Sequence, residues 1–158
     1  LHGIAGTGKS FISMYLSLNQ ILSENSQYKK LVIVRSVVPT RDIGFLPGNN
    51  KEKSAVYEAP YQSIFSEMFN RDDAYQVLKQ KNLVEFMTTS FIRGITLSNC
   101  ILVIDEIQNM ISMSGTFYKS LTKIIEKSDD TLKLLIMSAT PMFDRPDEII
   151  FYINCSNG

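Results

Sequence analysis

Gly3-Ile4-Ala5-Gly6-Thr7-Gly8-Lys9-Ser10 has the spacing G-x-x-x-x-G-K-[ST], and the fold turns on how this stretch is read. Glycines let a backbone wrap an anion with its N–H groups pointing inward. A helix starting directly beneath adds the positive end of its dipole. The sequence downstream has that periodicity: Phe11, Tyr15, Leu18 and Leu22 recur at three- and four-residue steps and predict an amphipathic helix to about Ser23. A loop of this kind should hold Gly3, Ile4, Ala5, Gly6, Thr7 and Gly8 around a phosphate chain, with Lys9 reaching the β- and γ-phosphates and the Ser10 hydroxyl ligating Mg²⁺. The implied ligand is ATP with magnesium. Leu1 and His2 supply almost none of the strand expected before such a loop, and no initiator methionine is present, so the sequence is expected to be a fragment whose first strand is largely missing.

Outward from the loop, strands and helices alternate. Leu31-Val32-Ile33-Val34 is a β-branched run that predicts a parallel strand buried on both faces. An irregular stretch, 36–50, follows with Pro39, Gly44, Pro47 and Gly48, and loops of that length usually carry function. Helical patterning runs over 51–69, with a break expected near Pro60, and again over 72–81. Val84 to Thr88 reads as a strand and Phe91 to Asn99 as a loop. Cys100 to Asp105 is the clearest strand of all, apolar until a carboxylate ends it. Phe117, Leu121, Ile124 and Ile125 mark another helix, and Leu132 to Met137 another strand. Asp144 and Asp147, spaced as a capping box around Pro146, predict a last helix with Ile149, Ile150 and Ile153 on its apolar face. Such alternation predicts a single α/β domain over 1–158, with a mainly parallel sheet covered on both sides.

A phosphate loop of this type needs a carboxylate at the end of a neighbouring buried strand, and Ile101-Leu102-Val103-Ile104-Asp105-Glu106 supplies it. Asp105 would hold Mg²⁺ through water, while Glu106 would orient or deprotonate an attacking water. The adjacent glutamate shifts the reading from small-molecule kinases towards an ATPase, because hydrolysis needs a positioned water and a base.

Composition removes other classes. Sixteen Lys and Arg balance sixteen Asp and Glu, so no global basic field advertises nucleic acid. The two cysteines, Cys100 and Cys155, form no C-x-x-C pair, and His2 is the single histidine, which argues against a disulfide scaffold or a zinc site. No apolar run reaches the roughly 18 residues of a bilayer span, so no membrane partner and a cytoplasmic, intracellular location are expected.

Several further motifs carry a resemblance. Arg35, Asp42-Ile43-Gly44-Phe45-Leu46-Pro47-Gly48 with Glu52-Lys53, Phe91-Ile92-Arg93-Gly94-Ile95-Thr96-Leu97-Ser98-Asn99 and Ile104-Asp105-Glu106-Ile107-Gln108-Asn109 are similar to the PhoH-like ATPases over roughly residues 1–110. The resemblance implies a three-layer RecA-like P-loop fold related to superfamily 1 helicases. It also implies a γ-phosphate or water contact for Gln108. Arg93 and Arg35 are candidates for stabilising transition-state charge, with salt bridges or phosphate-backbone contacts as the other reading; Arg145 reads as a surface residue.

The end of the sequence departs from that family. Where PhoH-like proteins end the strand after Walker B in a Gly-Asp pair, this chain has Ser138-Ala139-Thr140, which resembles motif III of superfamily 2 helicases, particularly a viral group. That resemblance implies that the Ser138 and Thr140 hydroxyls couple the γ-phosphate state to nucleic acid. Phe45 near Arg41, and Tyr57, Tyr61 and Phe65 near Lys51 and Lys53, fit either a surface for single-stranded RNA or DNA or a helix face packed on the core. The expected activity is ATP hydrolysis linked to RNA or DNA. A nucleotide-dependent switch or assembly ATPase without unwinding activity is one alternative and an inactive fragment lacking its second RecA-like domain another; a ring of identical copies or that second domain would complete the site.

Overall fold

A computed structural model describes residues 6–35, 50–89, 91–92, 95–108, 115–128 and 131–139, with backbone only for 50–54 and 115–118. Its elements are α1 (Lys9–Ile21), β1 (Lys30–Arg35), α2 (Asn50–Phe69), α3 (Ala74–Gln80), β2 (Val84–Thr88), β3 (Cys100–Asp105), α4 (Gly115–Lys127) and β4 (Leu132–Ile136). The four strands form one sheet in the order β2-β1-β3-β4, parallel throughout. This is the α/β parallel-sheet architecture that the alternating pattern predicts, and it agrees with the RecA-like P-loop fold that the resemblance implies.

Register places the carboxyl ends of the strands side by side: Arg35 of β1 lies opposite Thr88 of β2 and Asp105 of β3, while Ile104 lies opposite Ile136 of β4. Leu31 to Val34 and Ile101 to Ile104 are at most 1% exposed, as strands covered on both faces must be. One face packs Leu31, Ile33, Ile101 and Val103 against α1, α2 and α3. The other packs Val32, Val34, Leu102 and Ile104 with Leu121 and Ile124 of α4. Cys100 is buried at the start of β3.

Two expectations are corrected. The buried face of α1 is not Phe11-Tyr15-Leu18-Leu22 but Met14, Leu18 and Ile21 with Ser13 and Ser17 between them; Tyr15 and Leu22 are 55% and 50% exposed. Apolar residues surround this helix, so periodicity alone does not choose a face. Ser13 and Ser17 are buried on the face that is used, where small side chains fit between the larger apolar ones. The second correction concerns Pro60, which lies inside a continuous α2 and does not break it. Its missing N–H deprives only the carbonyl of Val56, a residue 62% exposed, where solvent can take the donor's place.

Residues 1–5, the loop 36–49, Arg93, Thr140 and the expected C-terminal helix lie outside the described residues. So do Arg41, Phe45, Arg145 and Cys155, and the side chains of Lys51 and Lys53.

Candidate functional site

Gly6 and Gly8 adopt φ angles of 81° and 76°, the left-handed region that side-chain-bearing residues avoid. Space does not require glycine here, since a Cβ at either position would meet nothing within 4 Å. Backbone direction does. Gly8 caps α1 without a side-chain hydrogen bond, and its carbonyl accepts the Ile12 N–H at 3.0 Å, so Lys9 and Ser10 form the first helical turn. The turn's amide donors are thus gathered at a helix N-terminus, the arrangement suited to an anion.

The direction of α1 follows from its far end. Gln20 Oε1 accepts from Lys133 Nζ at 2.8 Å, and Lys133 stands near the start of β4. The carboxyl end of α1 therefore lies at the amino edge of the sheet. With 13 residues α1 is about 20 Å long, and the six residues of β3 span about the same distance. Lys9 and Ser10 consequently lie towards the carboxyl edge, where β3 delivers Asp105.

At that edge the chain makes a sharp turn. Glu106 has φ 56°, an uncommon conformation for a residue with a side chain, and its N–H donates to Asp105 Oδ1 at 3.0 Å. The other carboxylate oxygen, Oδ2, accepts from the Tyr61 hydroxyl at 2.5 Å. Burial, and then the Asp105 carboxylate, push the Tyr61 phenol well above its ordinary range, partly opposed by Arg35, so it remains a donor. The Arg35 guanidinium lies 5.9 Å from the Tyr61 ring centroid, and Phe86 of β2 packs against that ring at 5.6 Å.

A second line of contacts leads from Glu106 to β4. Gln108 Nε2 donates to Glu106 Oε2, and Gln108 Oε1 accepts from Ser138 Oγ at 2.8 Å. Backbone pairing continues past the end of β4, with Met137 N–H donating to Ile104 and Ile107 N–H to Met137, which sets Ser138 beside the turn. Ser138, Gln108 and Asp105 are each at most 7% exposed. Gln108 thus links Ser138 to Glu106 by hydrogen bonds.

Among the described residues no group of three or more His, Cys, Asp or Glu could hold a metal ion by itself. The donors present fit magnesium, which keeps several waters and takes few protein ligands alongside phosphate oxygens. Asp105 and the Ser10 hydroxyl would be those ligands, and the N-terminus of α1 would hold the phosphates.

The sequence offers Tyr61 only as part of a nucleic-acid surface or a core-packed helix face, not as a partner of Asp105. Its helical spacing with Tyr57 and Phe65 was visible, and at 1% and 0% exposure Tyr61 and Phe65 belong to the core, not to a nucleic-acid surface. Its contact with Asp105 spans 44 residues, and no local pattern signals it.

A family model described as PhoH-like protein matches residues 1–130. The chain belongs to the PhoH-like family. The Bacillus subtilis protein PhoH2 is 30% identical over 150 residues, covering 92% of this chain and 32% of that protein. A PhoH-like protein of the same organism is 29% identical over 108 residues, 68% of this chain and 33% of its own length. A protein of Acanthamoeba polyphaga mimivirus, named provisionally as an ATP-dependent RNA helicase, is 40% identical over 94 residues, covering 60% of this chain and 16% of that protein. The chain thus spans a third or less of these relatives. The family match extends the resemblance seen over residues 1–110. No helix of the described residues is long and apolar enough to cross a membrane.

Proposed function

We propose that this PhoH-like chain binds ATP with magnesium and hydrolyses it, as the nucleotide-driven core of a protein acting on single-stranded RNA or DNA. The observation that supports this reading is the glycine turn at the N-terminus of α1, Gly6 to Ser10, together with an α1 direction that leads it towards the sheet edge where the Asp105-Glu106 turn ends β3. Lys9 pairs with the β- and γ-phosphates, and Ser10 and Asp105 hold the metal. Magnesium, when bound, neutralises charge on the transferring phosphoryl group. Glu106 serves as the base or orienting group for water, and Gln108 fixes its carboxylate. Arg93 completes the set on the strength of the PhoH-like resemblance, and Ser138 and Thr140 on that of the motif III resemblance to superfamily 2 helicases.

Support for a polynucleotide comes from the name of the mimivirus relative. A nucleotide-dependent switch is favoured by a different observation: the Glu106-Gln108-Ser138 line would carry a change at the γ-phosphate into β4 without any polynucleotide. A ring of identical copies or a second RecA-like domain supplies the far side of the nucleotide in either case. The test is phosphate release by wild type and Glu106→Gln, with and without single-stranded RNA or DNA. The proposal expects turnover in wild type, stimulation by the polynucleotide, and loss of at least a hundredfold in the variant with ATP still bound. Wild-type turnover in Glu106→Gln would remove the base, and turnover indifferent to polynucleotide would favour the switch.

A further inference from the structure

We infer that Tyr61 is a positioning residue for the magnesium-binding carboxylate, with its hydroxyl fixing the orientation in which Asp105 meets the metal. The inference rests on the ATP-magnesium reading above and adds to it a residue from outside the loop and strand motifs. Asp105 is 7% exposed, and each of its oxygens accepts from a different element: Oδ2 from Tyr61 of α2 and Oδ1 from the Glu106 N–H of its own turn. Two donors on different oxygens define the plane of the carboxylate. They also leave a further lone-pair direction on each oxygen for a metal-bound water.

The phenol is itself held firmly. Its ring is 1% exposed, packed against Phe86 with centroids 5.6 Å apart, and the Arg35 guanidinium lies 5.9 Å from its centroid. Arg35 is the register partner of Asp105 across β1 and β3. Neighbouring strands therefore fix both the donor and its acceptor. The contact ties α2, which contains none of the phosphate-loop residues, to the carboxylate. Groups that hydrogen-bond a metal's carboxylate ligand orient it, and their loss weakens metal binding more than it weakens the fold.

A buried hydroxyl that merely satisfies itself on the nearest carboxylate would give a different result, and Tyr75 is the internal comparison. It is 1% exposed and donates to Glu58 between α2 and α3, so Tyr75→Phe makes the same chemical change at another buried carboxylate. The experiment titrates magnesium into each protein with a fluorescent ATP analogue present. It reads nucleotide affinity without metal and the magnesium concentration at half of the metal-dependent gain. Tyr61→Phe is expected to raise that concentration roughly tenfold while metal-free affinity stays within about twofold. Tyr75→Phe is expected to leave both unchanged. An unshifted half-point in Tyr61→Phe, or an equal shift in Tyr75→Phe, overturns the inference.

Asp105→Asn separates this failure from failure of the parent reading. If Asp105→Asn abolishes the magnesium-dependent gain and Tyr61→Phe leaves it intact, only the positioning role falls. If Asp105→Asn changes nothing, the metal site itself is misplaced and the inference falls with it. Should Tyr61→Phe fail to fold, Phe86→Leu keeps the hydroxyl but frees the ring. Its expected shift is roughly threefold, and no shift overturns the inference.

Discussion

Glu106 is the residue at which backbone strain and candidate chemistry coincide. Its φ of 56° costs a side-chain-bearing residue of the order of 1 kcal/mol relative to glycine. Glu106→Gly should therefore be more stable to urea than Glu106→Ala by about 1 kcal/mol, and on the proposed function both should lose ATP turnover. Equal midpoints would mean that the turn is not strained. The two buried tyrosines make a separate prediction. Burial first, then the partner carboxylate, raise Tyr61 and Tyr75 above the ordinary 10.0, so the folded chain keeps protons that the unfolded chain releases above that pH. Their stabilisation is complete below pH 10 and lost as pH rises beyond it, by about 1.4 kcal/mol per pH unit for each tyrosine. Urea denaturation between pH 9 and 11 should show a fall that is shallower in Tyr75→Phe, and an unchanged slope would contradict the assignment.

At the scale of the element, α1 separates what a linear pattern reveals from what packing decides. Its start was legible, because only glycine suits the turn at Gly6 and Gly8 and Lys9-Ser10 must follow it. Its buried face was not, because Phe11, Ile12, Tyr15, Leu16 and Leu22 offer as many apolar positions as the face actually used. Met14→Ala should cost about 2–5 kcal/mol, whereas Leu16→Ser, at a site 58% exposed, should stay within about 0.5 kcal/mol. Comparable losses in thermal melts would mean that another surface covers the exposed stripe. Strand β3 was legible at both ends, since a short β-branched apolar run with polar flanks suits a strand covered on two faces, and the carboxylate ending it then reaches the sheet edge. Pro60 misled because the carbonyl it orphans, that of exposed Val56, can turn to solvent, which lessens both the lost hydrogen bond and the ring's clash.

For the whole molecule, strand order decides which motifs meet. With β1 and β4 flanking β3, Asp105 and the Glu106 turn stand between Arg35 and Ser138, while α1 lies antiparallel to the strands and brings Lys9 towards the same edge. The sequence and its resemblances assigned Asp105, Glu106, Gln108 and Ser138 to one site without the hydrogen bonds between them. Their joining through Gln108, and the entry of Tyr61 from α2, depend on contacts across 30 and 44 residues that spacing does not encode. The central claim is that this edge binds ATP through the glycine turn. Equilibrium binding of ATP with magnesium to wild type and Lys9→Ala tests it most directly. Saturable binding that weakens at least tenfold in the variant, with an unchanged thermal melt, is the predicted result; equal affinity in the two proteins would contradict the account.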